Sequence, residues 1–205
     1  MSEFLAALRI QRWDDHRYYH HNRINQTLHF VSAIGFLIAY ALLFSDPILA
    51  SLIGWLWSMV TRQAGHFIFE PTDYDKVNNA SQEYKEAIKV GYNLNRKIVL
   101  LSLWGAVPLA LLASPTLWGL LPANIVEQGF LRSTGALWLV IGAGALVFRM
   151  IQLLIFKDAM TSLVWFAKII TDPINDIRTY WRAPIRLLQG ELYDPHHGEQ
   201  HEQAA

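Results

Sequence analysis

The sequence predicts an all-α, multi-span membrane protein with about four transmembrane helices and both termini cytoplasmic. Three observations carry that expectation. Long stretches contain no Asp, Glu, Lys or Arg, notably Ile24–Ser45 and Ile98–Val126. Runs of this kind match the ~20 apolar residues a helix needs to cross a ~30 Å hydrocarbon core. The chain is 53% hydrophobic, yet its mean hydropathy is only +0.20. Apolar blocks are therefore averaged against polar ends. Finally, basic residues are concentrated in alternate connecting segments, which is how orientation is set in membranes.

The elements follow in order within a single membrane domain. Residues 1–23 form a cytoplasmic N-terminal segment carrying Arg9, Arg12, Asp14, Asp15 and Arg17. It has no apolar stretch of signal-peptide type, so a cleaved signal is not expected. Residues 24–69 form a helical hairpin. The first third of its first arm is polar (Asn25, Gln26, Thr27, His29), and the apolar part is Phe30–Phe44. Ser45-Asp46-Pro47 reads as a turn, with Pro47 placed to start the next helix. The second arm, Ile48–Phe69, is interrupted by Arg62 and holds Trp55 and Trp57 as core or lipid contacts.

Residues 70–97 form a charged cytoplasmic loop with a surface helix over Ser81–Val90. Residues 98–156 form a second helical pair. Pro108 is a kink site in the third span. The fourth span covers Ser133–Phe156, where Arg149 lies close enough to the end to snorkel. Gly135, Gly142 and Gly144 offer a small-residue packing surface. Residues 157–205 form an interfacial segment and a polar tail. Met160–Ile170 reads as re-entrant or interfacial. Within Thr171-Asp172-Pro173, Asp172 reads as a helix cap or as a further site carboxylate. The stretch with Arg178, Tyr180, Trp181, Arg182 and Arg186 suits a membrane-surface helix. His196, His197 and His201 fall in a tail expected to be disordered.

Composition excludes several functions. The net charge is zero, so no basic face for nucleic acid is expected. Cysteine is absent, which removes disulfides, thiolate ligands and cysteine nucleophiles.

The chemistry-bearing residues are histidines. The group Tyr19-His20-His21-Asn22-Arg23-Ile24-Asn25-Gln26-Thr27-Leu28-His29 starts the first arm, and Gly65-His66-Phe67-Ile68-Phe69-Glu70 ends the second. The arms of a hairpin run antiparallel, so both groups lie at one level. His21, Asn25 and His29 are spaced four apart and share one helix face, as do His66 and Glu70. Ionisable residues at a membrane boundary are costly and usually functional. His20, His21, His29, His66 and Glu70 are therefore candidate metal ligands. Asn22 and Asn25 are candidates to hold imidazole tautomers by hydrogen bonds. A donor set of imidazoles with a carboxylate and no thiolate suits Fe(II), Zn or Mn. The plainer alternatives are a packing histidine at His29, interfacial decoration at His20 and His21, and an ordinary helix pair at His66 and Glu70. His16 reads as a surface residue.

Tyr19-His20-His21-Asn22, then Asn25 and His29, then a membrane span and Gly65-His66-x-x-Phe69-Glu70, resemble the membrane family of the yeast 2-hydroxy fatty acid dioxygenase. The resemblance covers about residues 17–71. It implies a multi-span protein with an Fe(II) centre held by histidines. It also implies oxidative removal of one carbon from a 2-hydroxy fatty acid, or turnover of a related lipid, with O2. By position, His21, His29 and His66 match ligands and His20 a ligand or acid–base group. Arg23 or Arg62 would hold the carboxylate, and Phe36, Phe44, Trp55 and Phe67 would line the acyl tail. The expected location is a bacterial inner membrane, or the endoplasmic reticulum in a eukaryote. An oligomer is left open. The rival readings are a di-iron lipid hydroxylase or desaturase, and a non-catalytic membrane protein whose histidines hold a structural metal or a headgroup.

Overall fold

The computed structural model describes residues 2–71, 73–76, 78–91 and 94–194. Helix α1 spans Glu3–Tyr19 and α2 spans Arg23–Leu42. The start of α2 is fixed by Asn22, whose Oδ1 accepts from the amide of Ile24 at 2.7 Å. Asp46 does the same for α3, Pro47–Ile53, accepting from Leu49 at 3.0 Å, with Pro47 in the first turn. The helix does not stop at Ile53. It continues through a π-helical segment (Gly54–Met59), α4 (Val60–Ala64) and a second π-helical segment (Gly65–Phe69). The junction residues Gly54, Val60 and Gly65 all keep right-handed helical angles. A π segment displaces carbonyls from their usual partners. Here the freed Ser58 carbonyl is taken by the hydroxyls of Ser32 on α2 at 2.8 Å and Thr61 at 3.1 Å.

The remaining helices are α5 (Gln82–Ile88), α6 (Leu94–Ala113), α7 (Ala123–Val126), α8 (Phe130–Phe156), α9 (Ala159–Tyr180) and α10 (Ala183–Leu188). Among the described residues there is no strand, only the isolated bridges Asn22–Tyr193 and Asp75–Ala80. The fold is therefore all-α.

Three helices are long and apolar enough to cross a membrane: α2, α6 from Asn95, and α8. Side chains such as Leu109, Leu112, Val140 and Ile155 lie outward and exposed on α6 and α8. Apolar surface of this extent suits lipid rather than water. The run from Pro47 to Phe69 reaches from the start of α8 to the start of α6. Its start sits beside α8, where Arg132 clamps Asp46 with bonds of 2.8 and 2.9 Å. Its end sits beside the start of α6, where Lys97 lies 3.6 Å from Glu70. The helices meet on a core of Trp55, Val107, Leu111 and Trp138. Trp55 donates to the Trp138 carbonyl at 3.1 Å, and Trp138 to that of Trp104 at 2.9 Å. Trp55 is thus a core residue, whereas Trp57 is 42% exposed. Gly135 is needed where α8 meets α3, because a Cβ there would run into Ile48 and Leu52. Gly142 lies against Trp55, but Gly144 faces open space, so the small-residue surface is shorter than the sequence suggests.

Several expectations are corrected. Arg149 does not snorkel. It is buried, donating to the carbonyls of Val90 and Gly91, which gives those loop carbonyls a charged partner. Asp172 is not a helix cap, and α9 runs unbroken through Pro173. A helix embedded among others tolerates a proline, because neighbouring groups replace the lost backbone bond. The turn here is held by Lys168 on Asp172 at 2.6 Å and by the Thr171 hydroxyl on Ala167. His16 is part-buried on Tyr180, with Nδ1 3.1 Å from the phenol oxygen, and not a bare surface group. His196, His197 and His201 lie outside the described residues.

Candidate metal centre

Three segments bring one imidazole each to a common point. His20 follows the last residue of α1, His29 lies one turn and a half inside α2, and His66 lies in the second π segment. One ring nitrogen from each can be chosen so that all lie within 4.8 Å of one another. Ring centroids are 4.1 Å apart for His20–His29, 4.8 Å for His29–His66 and 5.4 Å for His20–His66. The close approach depends on Gly65. A Cβ there would collide with Asn25 Oδ1 and press towards the His29 ring.

His29 is fully buried and His20 is 4% exposed. Neither ring nitrogen of either residue has a hydrogen-bond partner. Leaving a buried polar atom unpaired costs roughly 1–3 kcal/mol. One nitrogen from each ring lies at the common point, and lone pairs converging there fit a metal ion, which accepts them. Burial, with His29 and His66 beside it, pushes the His20 pKa well below the usual imidazole value. His20 is then neutral at neutral pH, the form that ligates.

Carboxylates stand behind two of the rings. His66 Nδ1 lies 2.6 Å from Glu70 Oε2, and Glu70 Oε1 takes Lys89 at 3.0 Å. His29 Nδ1 lies 3.5 Å from Asp176 Oδ2, and Arg62 donates to that same oxygen at 2.8 Å. Tyr180 covers the group, its ring 5.8 Å from His20 and 6.3 Å from His29.

Other candidates are placed elsewhere. His21 does not join the three rings; its Nε2 lies 3.8 Å from Asp75, and burial lowers its pKa to about 4. Arg23 faces the C-terminal segment, 3.1 Å from Asp194 and 2.8 Å from Gln26. Asn22 is the cap of α2. Asn25 is fully buried and donates to the Tyr19 carbonyl at 2.8 Å, so it braces the turn before His20 rather than an imidazole. Glu70 stands outside the triad, on the far nitrogen of His66.

Asp176 was missed. Lys168, Asp172, Asp176 and Tyr180 recur every four residues and mark one polar face of α9. Taking Met160–Ile170 and the stretch after Pro173 as separate segments split that pattern. The face also binds α1: Lys168 pairs with Asp15, and Arg12 reaches Thr171 at 2.6 Å and Asp172 at 3.6 Å.

The triad opens on a cavity of about 600 Å³. Phe36, Leu43, Trp55 and Trp138 line its apolar part, with Arg62 and Lys97 at the polar end. Phe44 and Phe67 do not line it; Phe44 is 95% exposed. The three imidazoles line this largely apolar cavity and could bind a metal ion. No protein-family model, curated protein or solved structure matches this chain.

Proposed function

We propose that this membrane protein is an Fe(II)-dependent dioxygenase that shortens a 2-hydroxy fatty acid, or a related lipid, by one carbon. The observation that supports it is the His20–His29–His66 triad at one end of an apolar cavity. The three rings would hold the ion. Ferrous iron bound there would supply electrons to O2 and a Lewis-acid contact for the hydroxy acid. Arg62 and Lys97 place positive charge on the cavity wall, where a carboxylate would be drawn. Phe36, Leu43, Trp55 and Trp138 take the chain and exclude water.

The reaction balances without a further reductant. The bond between C1 and C2 breaks. The hydroxy acid and O2 become an acid one carbon shorter, carbon dioxide and water. Four electrons pass from substrate to O2. A di-iron hydroxylase needs more ligands than this triad offers, since Glu70 and Asp176 are already engaged by cations. In this reading both termini and the triad face the cytoplasm.

The test is metal content per chain of anaerobically purified protein in detergent, followed by O2 uptake with 2-hydroxypalmitate. About one iron per chain and substrate-dependent uptake are expected. Two irons per chain would favour the di-iron chemistry. No metal after adding Fe(II) would sink the enzyme reading.

A further inference from the structure

We infer that Asp176 and Glu70 are a matched pair of positioning residues, each fixing the Nδ1–H tautomer of one imidazole so that His29 and His66 both turn Nε2 towards the centre. The inference rests on the metal-binding reading above. It assigns Asp176 a role the sequence did not suggest, and moves Glu70 from ligand to support.

The two contacts match in kind of partner but not in length: Glu70 hydrogen-bonds His66, whereas Asp176 stands at ion-pair distance from His29 Nδ1. Glu70 Oε2 is 2.6 Å from His66 Nδ1, with Lys89 on its other oxygen and Lys97 3.6 Å away. Asp176 Oδ2 is 3.5 Å from His29 Nδ1, with Arg62 on the same oxygen. Each carboxylate also takes a cation, Lys89 on Glu70 and Arg62 on Asp176, and each faces an Nδ1. An ionised carboxylate accepts but cannot donate. The nitrogen facing it must carry the proton, and the lone pair falls on Nε2. Ligating histidines commonly donate their second nitrogen to a carboxylate in this way. His20 has no such partner, and both its nitrogens are free of hydrogen bonds. The triad thus has two rings with assigned tautomers and one without.

The two supports come from opposite parts of the chain. Glu70 is four residues from its histidine, so one helix turn supplies the pair. Asp176 is delivered by α9, which packs along α2. The Asp176 contact therefore reports whether α9 is docked; the Glu70 contact does not.

The experiment uses full-length protein with ring-15N histidine in detergent micelles, without metal. Long-range 1H–15N correlation reads each tautomer, with assignment by His29→Gln and His66→Gln. Nδ1–H is expected for both rings. Asp176→Asn should release only His29, and Glu70→Gln only His66. Titration with Co(II) should then show Kd rising about 10- to 100-fold in each variant. Because Asp176→Asn leaves Arg62 without its carboxylate, the double variant Arg62→Met/Asp176→Asn is measured beside it, with the same loss expected. Nε2–H in the wild type, or variants that shift neither tautomer nor Co(II) affinity, would overturn the inference. The expected tautomers in a wild type that takes up no Co(II) would instead support the positioning role and defeat the proposed metal function.

Discussion

At the scale of single residues, the triad separates side chains that the sequence presents as equals. His20 and His21 are adjacent, yet only His20 reaches the other rings, while His21 turns to Asp75. Substituting alanine for His29 or His66 should abolish iron retention, whereas His21→Ala should keep it, as metal analysis of the purified proteins would show. Gly65 is the other sensitive position. Gly65→Ala forces a methyl group onto Asn25 and should cost about 1–3 kcal/mol, read as a lower Tm in detergent, with weakened metal binding. The triad histidines were legible because imidazoles in a membrane segment stand out against apolar neighbours. Asp176 was not, because a carboxylate near a basic, aromatic stretch looks like interfacial decoration until α9 is seen to dock.

At the scale of elements, the hairpin was readable from its uncharged runs and the Ser45-Asp46-Pro47 turn. The π segments were not, since Gly54–Met59 and Gly65–Phe69 carry no composition that separates them from an α-helix. Pro173 misled in the opposite direction, because the turn around it is held by Lys168 on Asp172 and Thr171 on Ala167. The hairpin turn is tied to α8 through Asp46 and Arg132. That bond, with the amide of Leu49, holds the Asp46 carboxyl at about 2, below its usual value. The folded pKa is thus lower than the unfolded one of about 3.9. The pair contributes in full above about pH 4 and is lost as pH falls towards 2. The unfolding free energy measured across that range should fall more steeply for the wild type than for Asp46→Asn.

At the scale of the whole molecule, the order of crossings can be read directly, because the chain has no cysteine to remove. If the run from Pro47 to Phe69 crosses the membrane, single cysteines at Ser45→Cys and Thr116→Cys label from one side, and Gln82→Cys labels from the other. Labelling of positions 45 and 116 from opposite sides would show three crossings. The all-α, multi-span class was legible in the sequence because hydropathy depends on composition alone. The path of α1 and α9 was not, since their pairing relies on Arg12, Asp15, Lys168 and Asp172, residues that look like solvated surface until they meet.

The strap at the end of the described chain has a consequence for biosynthesis. Leu192 and Asp194 bond to the backbone of Arg23 and His21, and Asp194 also grips Arg23 and Gln26. All three imidazoles emerge from the ribosome before α8, and Asp176 and this strap emerge after it. Domains are made N-terminus first. A nascent chain halted after α8 therefore already carries every ring of the triad, but neither the counter-ion of Arg62 nor the clasp on the turn beside His20. The three rings are therefore made well before the groups that pack against them, and the site is completed only once α9 and the strap have docked.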